Sequence, residues 1–295
     1  MSIDGLVDFL TIAQCQLNDL HEDGPLSRQG RHPEETAATG SERYNSVVDQ
    51  LLHATARAEA RHFWFRGFRA FVVPLVEQAI EGNTDARIVD CGCGTGANVE
   101  WLARYGRTYG FDLSSTGLHL GRDAGRKQLV QAEVTAAPFS DAQFDLVTSF
   151  DVLYSLEERA ERAAMAEMFR LTRPGGHTLI NVAAMDVLRG DHSVLSHERR
   201  RYSRATLEQL VVGAGFTIVR VTYTNLTLVP LLAIVRLAQR ARGLAPEASA
   251  KREISVPWAP INGALSAVLW LESLWLRAFN SPFGSSLLCL ARKPA

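Results

Sequence analysis

The sequence predicts an α/β fold in which helices wind both faces of a parallel sheet, and two observations carry that prediction. From Arg87 onward, short β-rich runs alternate with helical segments, the order that right-handed strand–helix–strand crossovers produce. The first of these runs ends in Asp90-Cys91-Gly92-Cys93-Gly94-Thr95-Gly96 and passes straight into a helical pattern. In such a sheet, ligands bind outside the carboxyl ends of the strands.

Taken in order, Ile3, Leu6, Val7, Leu10, Ile12, Ala13 and Leu17 recur at helical spacing, which predicts an amphipathic helix over residues 3–20. Residues from His21 to Arg43 hold Gly, Pro, Ser, Thr and charge with little to bury, the composition of a linker or strap. Residues 44–81 read as two helices joined near His62-Phe63-Trp64-Phe65-Arg66-Gly67. Strands follow at 87–91, 107–112, 128–132, 144–150 and 177–183. A helix over about 203–213 closes at Gly215, Phe216–Tyr223 forms a sixth strand, and Ser286–Arg292 forms a seventh. Between the last two strands, Leu226, Leu228, Leu231, Leu232, Ile234, Val235 and Leu237 form one apolar helix, and Ala264–Phe279 forms another. Three readings stand for this insertion: added core or a homo-oligomer face, a lid over an apolar substrate, and a peripheral membrane contact. The chain therefore divides into residues 1–43, a main domain of 44–225 with 281–295, and an insertion of 226–280.

With 295 residues, 46% of them hydrophobic, the chain is long enough for one large domain or a domain with an elaboration. Its 31 basic and 32 acidic residues leave a formal net charge of −1. No global field draws it to nucleic acid, and any membrane contact must be local. Cys15, Cys91, Cys93 and Cys289 contain no C-x-x-C pair and are too sparse for a disulfide framework, so a reducing cytoplasm fits best. Asp4 and Asp8 near the N-terminus, with no basic region, argue against a secretory signal. The apolar run from Asn225 to Val235 is too short to cross a bilayer.

Gly92, Gly94 and Gly96 form a turn in which backbone approaches a ligand closely, and the N–H groups that open the next helix favour an anion. Gly92-x-Gly94-x-x-Ala97 also fits the dinucleotide fingerprint, so a nicotinamide enzyme competes. Asp90 decides between them. A carboxylate at the strand tip repels a pyrophosphate but suits a ligand carrying ammonium or sulfonium charge, and S-adenosylmethionine has both, plus a carboxylate for the N–H groups.

Over roughly Arg87 to Phe216 the chain resembles class I S-adenosylmethionine-dependent methyltransferases. The D-x-G-x-G-x-G run is Asp90 to Gly96, Phe144-Asp145-Leu146-Val147 matches the family's fourth strand, and Arg173-Pro174-Gly175-Gly176 matches the turn before its fifth. The resemblance implies a Rossmann-like sheet of seven strands in the order 3-2-1-4-5-7-6 with the last antiparallel, and S-adenosylmethionine as cofactor. It implies that Asp90, Gly92, Gly94 and Gly96 hold the cofactor, that Asp112 with Leu113 takes the ribose, and that Glu133 with Val134 lies beside the adenine. Two departures are Glu133, where the family more often has aspartate, and Thr135-Ala136-Ala137 before Pro138, where a leucine commonly sits. Asp112 has a second reading as a helix cap, although Ser114 caps equally well, and Glu133 a second reading as a solvated acid. Asp145, at the start of its strand, reads as structural.

Methyl transfer needs an aligned nucleophile and, for O–H or N–H, a base. Candidates follow the fourth strand, at Phe150, Asp151 and Tyr154, and the fifth, in Asp191-His192-Ser193-Val194-Leu195-Ser196-His197-Glu198-Arg199-Arg200-Arg201-Tyr202. His192 and His197 are the leading bases because imidazole titrates near neutrality, with Tyr154 a third catalytic candidate. The H-F-W-F-R and H-x-x-x-x-H-x-R-R-Y segments are similar to those of a bacterial methyltransferase subfamily, which implies that Trp64 and Phe65 cap the cofactor while His192 or His197 faces the acceptor; Phe150, after the fourth strand, is a further cofactor-binding candidate. Trp64 reads equally as a packing aromatic, and His197 with Arg200 and Tyr202 as a hydrogen-bonded brace. Arg199–Arg201 reads as an acidic-substrate contact or a solvated face, and the spacing of Asp191, His192, His197 and Glu198 is no familiar metal pattern. The expected activity is methylation of a small, partly apolar acceptor in natural-product or lipid-linked metabolism. Two rivals are a cofactor-binding protein that catalyses a non-methylating rearrangement and a membrane-associated scaffold.

Overall fold

The computed structural model describes residue 49 and residues 51–188, 198–234 and 256–295. The expected helix over 3–20, the linker, Cys15, His192 and His197 lie outside the described residues, as does the end of the apolar helix beyond Ile234. Helical residues 51–58 (α1) lead through a short turn into α2 (Phe63–Ile80), where the side chain of His62 accepts from Trp64 N and caps the first turn. This is the two-helix entry that the sequence predicts, with its join at the aromatic run.

The sheet elements then alternate with helices as β1 (Arg87–Cys91), α3 (Ala97–Leu102), β2 (Arg107–Asp112), α4 (Ser115–Asp123), β3 (Leu129–Gln131), β4 (Phe144–Phe150), α5 (Glu158–Leu171), β5 (Thr172–Ala183), α6 (Arg204–Gly213) and β6 (Thr217–Thr224). After a 3-10 turn at Leu226–Leu228 come α7 (229–234), α8 (Ala259–Ala278) and β7 (Ser286–Arg292). The seven strands lie in the order β3-β2-β1-β4-β5-β7-β6. β7 runs antiparallel to β5 and β6, while β1 to β5 pair in parallel.

Some boundaries differ from the sequence expectation for physical reasons. β5 begins at Thr172 instead of 177, because Thr172 pairs with Phe144 and the register then shifts before Leu146. The irregularity keeps Arg173-Pro174-Gly175-Gly176 in the strand as its edge, with Gly175 N donating to Lys293 O at 3.0 Å. α8 starts at Ala259 instead of Ala264, since Pro260 occupies the first turn, where a missing N–H costs nothing.

Alternate strand residues feed two cores. Ile88, Leu146, Leu179, Leu288 and Leu290 pack with Phe71, Val72, Leu75 and Val76 of α2 and with Leu102 of α3. Val89, Val147, Ile180, Val182, Leu287 and Cys289 face Met165 and Met168 of α5 and Leu207 and Val211 of α6. Both faces of the sheet are thereby dry, as a parallel sheet requires.

α8 lies along α2. Its buried positions are Asn262, Leu269, Glu272, Ser273 and Leu276. Asn262 Oδ1 accepts from Phe63 N at 2.8 Å and its Nδ2 donates to Arg61 O at 2.9 Å, so this helix closes the start of α2. Glu272 accepts from Leu226 N and Thr227 N and anchors the turn after β6. The other side of α8 exposes Trp270, Leu271, Leu274 and Trp275. Among the described residues, no helix is long and apolar enough to cross a membrane.

The α2–α8 crossing is close because Gly67 has no side chain: a Cβ there would lie 2.3 Å from Leu269 Cδ1 and 2.8 Å from Leu269 Cβ. Gly67→Ala is expected to lower the unfolding free energy in urea by about 1–3 kcal/mol through overpacking. Adding Leu269→Ala should then cost less than it does alone, a coupling that a double-mutant cycle reads directly.

Candidate active site

At the carboxyl edge of the sheet, β1 turns into α3 through Gly92, Gly94 and Gly96, whose φ angles are +80°, +54° and +77°. Gly92 N and Cys93 N donate to Phe111 O at 2.8 and 3.0 Å, which ties the turn to β2. A Cβ on Gly92 would meet Val152 Cγ2 at 2.4 Å, so the segment after β4 closes directly over the turn.

Asp90, in the register pair next to Thr148 of β4, is 1% exposed. Thr148 Oγ1 donates to its Oδ1 at 2.6 Å, while Oδ2 is buried without a hydrogen-bond partner. Burial pushes its carboxyl up to about 7, against the pull of Thr148 and Asn98 and with a small further push from Asp112. A native fold seldom leaves a buried carboxylate oxygen unsatisfied. A cationic ligand group there would supply the missing donor and restore the charge, so the turn fits the ammonium-bearing cofactor that the sequence suggests.

Asp112 ends β2 with both oxygens engaged: Oδ2 accepts from Gly94 N and Oδ1 from Ser114 N, each at 2.8 Å. Ser114, not Asp112, caps α4, accepting from Gly117 N at 3.2 Å. Burial raises the Asp112 carboxyl, and the backbone donors oppose that rise. Each oxygen keeps a lone pair for a hydroxyl. Leu113 is 64% exposed, and its carbonyl accepts from Gln131 Nε2, which brings it beside the end of β3. Glu133 is exposed and accepts from Thr135 Oγ1 at 3.3 Å, and Val134 is half-buried against the core. Phe150 is buried at the β4 tip, edge-to-face with Phe68 of α2 at 5.0 Å, and Trp64 is half-buried against the same core.

A buried charge cluster under the turn has no counterpart in the sequence motifs. Glu59 Oε2 accepts from Thr95 Oγ1 at 2.7 Å, and Arg126 pairs with both Glu59 and Glu100 while donating to Thr95 O at 3.1 Å. No signal in a single sequence joins Glu59 to Arg126, since only the fold brings them together.

Tyr154, a candidate for catalysis, is buried in the 3-10 turn Leu153–Ser155. Burial, then the charges of Asp151 and Glu198, holds its phenol well above the usual range. Arg199 pairs with Glu157, Arg200 with Glu161, and Arg201 with Glu198 in a buried pair, while Tyr202 Oη donates to Glu161. For Arg200 and Tyr202 the brace is what the structure forms. Asp145 accepts from Arg87 N and pairs with Arg173 at the opposite edge, a structural position. Cys91 and Cys93 are buried with thiols pushed well above their ordinary value by burial, and they fill core space. Among the described residues, no group of three or more His, Cys, Asp and Glu is placed to hold a metal.

Comparison with known proteins agrees with this geometry. Residues 89–180 match the family model described as "Methyltransferase domain". The matched span holds the glycine turn, Asp112 and β4, the segments that build the site described above. The malonyl-acyl-carrier-protein O-methyltransferase of Enterobacter lignolyticus is 34% identical over 109 residues, 35% of this chain and 41% of that protein. The ubiquinone biosynthesis O-methyltransferase of Alkalilimnicola ehrlichii is 31% identical over 113 residues, 36% of this chain and 45% of that protein. The chain thus spans about half the length, or less, of these curated relatives. The (4+2)-cyclase SpnF shares the fold with a TM-score of 0.57 at 17% identity, over 90% of this chain and 100% of that one.

Because the folded Asp90 carboxyl titrates near 7, above its unfolded value, ionising it destabilises the ligand-free fold as pH rises from about 4 to about 7. Asp90→Asn should therefore stabilise the ligand-free protein by about 1–3 kcal/mol at about pH 8, a gain that vanishes near pH 4. The same variant should bind S-adenosylmethionine at least about tenfold more weakly at pH 8 and lose the wild-type drop in affinity on acidification, as calorimetry across pH would read. Asp112→Ala removes two hydroxyl acceptors and the anchor of Gly94, so affinity for S-adenosylhomocysteine should fall by about 10–100-fold.

Proposed function

We propose that the protein transfers the methyl group of S-adenosylmethionine to a small, partly apolar molecule. The observation that carries this reading is the buried Asp90 carboxylate, whose Oδ2 is left without a partner beside a glycine turn closed by Val152. The cofactor supplies an electrophilic methyl on sulfonium. Asp90 and the turn would hold its amino-acid end, Asp112 the ribose, and Leu113 with Glu133 and Val134 the adenine side. Phe150 and Trp64 supply aromatic surface where α2 meets the tip of β4.

The acceptor class is supported by two features. Relatives over this domain are named for a malonyl-acyl-carrier protein and for ubiquinone biosynthesis, which are carried or lipid-linked small molecules. The formal net charge of −1 offers no general attraction to a polynucleotide acceptor. His192 and His197 remain proposed acceptor-side residues.

Calorimetry with S-adenosylmethionine and S-adenosylhomocysteine is the direct test, with micromolar binding expected. Binding of neither would sink the reading. Mass analysis of a metabolite library incubated with protein and cofactor should show a product heavier by one methylene. Cofactor binding with an isomerised, unmethylated product would instead establish the rearrangement reading.

A further inference from the structure

Asp151 follows the last residue of β4 and adopts φ +61°, a left-handed conformation that is uncommon outside glycine. It is clamped at two points by Asn181 of the neighbouring β5. Asp151 N donates to Asn181 O at 3.0 Å, and Asn181 Nδ2 donates to Asp151 Oδ1 at 2.9 Å. Backbone strain at one aspartate, sustained by a backbone and a side-chain bond to one partner, fixes where the carboxylate stands.

That place adjoins the cofactor turn. Asp90 pairs with Thr148 in the parallel register, and Asp151 lies beyond Thr148 on the same strand, past its carboxyl end. The next residue, Val152, is the one that closes on Gly92. Asp151 itself is exposed at this edge of the sheet. Asn181 is 3% exposed, and its Oδ1 is buried without a hydrogen-bond partner. Two acceptor atoms therefore face the same edge with capacity to spare: Asn181 Oδ1, and Asp151 Oδ2, which accepts no hydrogen bond from the described residues.

We propose that Asp151 is the base that removes the proton from the methyl acceptor, with Asn181 as its positioning residue, and that the acceptor atom is a hydroxyl or amine, not a carboxylate. The inference rests on the methyl-transfer reading and adds the substrate's reacting group to it. The acceptor's lone pair forms the new bond to the methyl carbon as the carbon–sulfur bond breaks. The bonding pair stays on sulfur, converting sulfonium to thioether, while the acceptor proton passes to Asp151 Oδ2 and later to water. No oxidant or reductant enters.

The charges around Asp151 suit this role. Desolvation by the protein around it raises its carboxyl to about 7, Glu198 adds to the rise, and Asn181 and Arg201 pull the other way. Among the described residues Tyr154 is a further titratable neighbour, its phenol held well above the usual range. A carboxyl poised near neutrality is matched to proton removal at that pH. An ionised Asp151 carboxylate is itself unfavourable to a carboxylate acceptor placed against it.

The test uses the full chain saturated with S-adenosylhomocysteine. Side-chain carboxyl NMR, assigned through the backbone, should show Asp151 titrating near 7, and a midpoint in the ordinary carboxylate range would overturn the proposal. Asp151→Asn should bind S-adenosylhomocysteine within about threefold of wild type yet lose about 10²–10⁴-fold in labelled-methyl transfer to catechol near neutral pH. It should lose far less with a nitrophenol that is already ionised, because that acceptor needs no base. Equal losses with both probes would mark a structural residue and overturn the role as base. Transfer to benzoate alone, or to no probe, would overturn the acceptor class. Failure of wild type to bind S-adenosylhomocysteine would instead remove the methyl-transfer reading, and this inference with it.

Discussion

The constraint on which the site depends is the burial of Asp90 with one carboxylate oxygen unsatisfied. The hydrogen bond from Thr148, with a further pull from Asn98, does not compensate a fully buried charge, and the raised pKa expresses that deficit. The surrounding sheet, dry on both faces, makes that deficit costly, and the strand register that brings Thr148 alongside offsets part of it. Everything else at the carboxyl edge is arranged around this carboxylate: the glycine turn bends past it, Asp112 pins the turn through Gly94, and Val152 closes it. A ligand cation would complete what folding leaves undone.

The edge is also layered by distance from that carboxylate. Asp90 and Asp112 belong to β1 and β2, whose tips hold the turn, whereas Asp151 and Asn181 belong to β4 and β5, on the side where β7 reverses direction. Two raised carboxylates, one buried and one exposed, thus stand at neighbouring strands with different neighbours: one meets a threonine and an asparagine, the other an asparagine and a glutamate–arginine pair. Separate surroundings of this kind let one sheet edge hold both a cation and a proton acceptor.

Much of the fold was legible because its strands are short apolar runs punctuated by glycine. Ile88-Val89 and Leu146-Val147 read as buried from composition alone, and each supplies residues to both cores. Where the sequence misled, a local exception prevailed: proline in β5 reads as a strand's end, yet the shift between Phe144 and Leu146 accommodates Pro174 at the edge. In the site, Asp90 and Asp112 were legible from their places at strand tips. Asp151 stood only among several candidates, since its left-handed backbone and its bond to Asn181 arise from register between strands. The arginine run was ambiguous for the same reason, because Glu157, Glu161 and Glu198 are reached only in three dimensions. Tyr154 drew attention by type, and its burial is set by the turn after β4, which composition does not reveal.

The cluster under the glycine turn bears on where this catalytic unit begins. The matched domain spans residues 89–180, but the turn's Thr95 and the Arg126 beneath it rest on Glu59, which lies upstream of that span. A graft of the matched segment onto another scaffold would carry Arg126 without its buried counter-charge and Thr95 without its acceptor. The smallest transplantable module is therefore larger than the recognisable one, and its boundary is drawn by an ion pair.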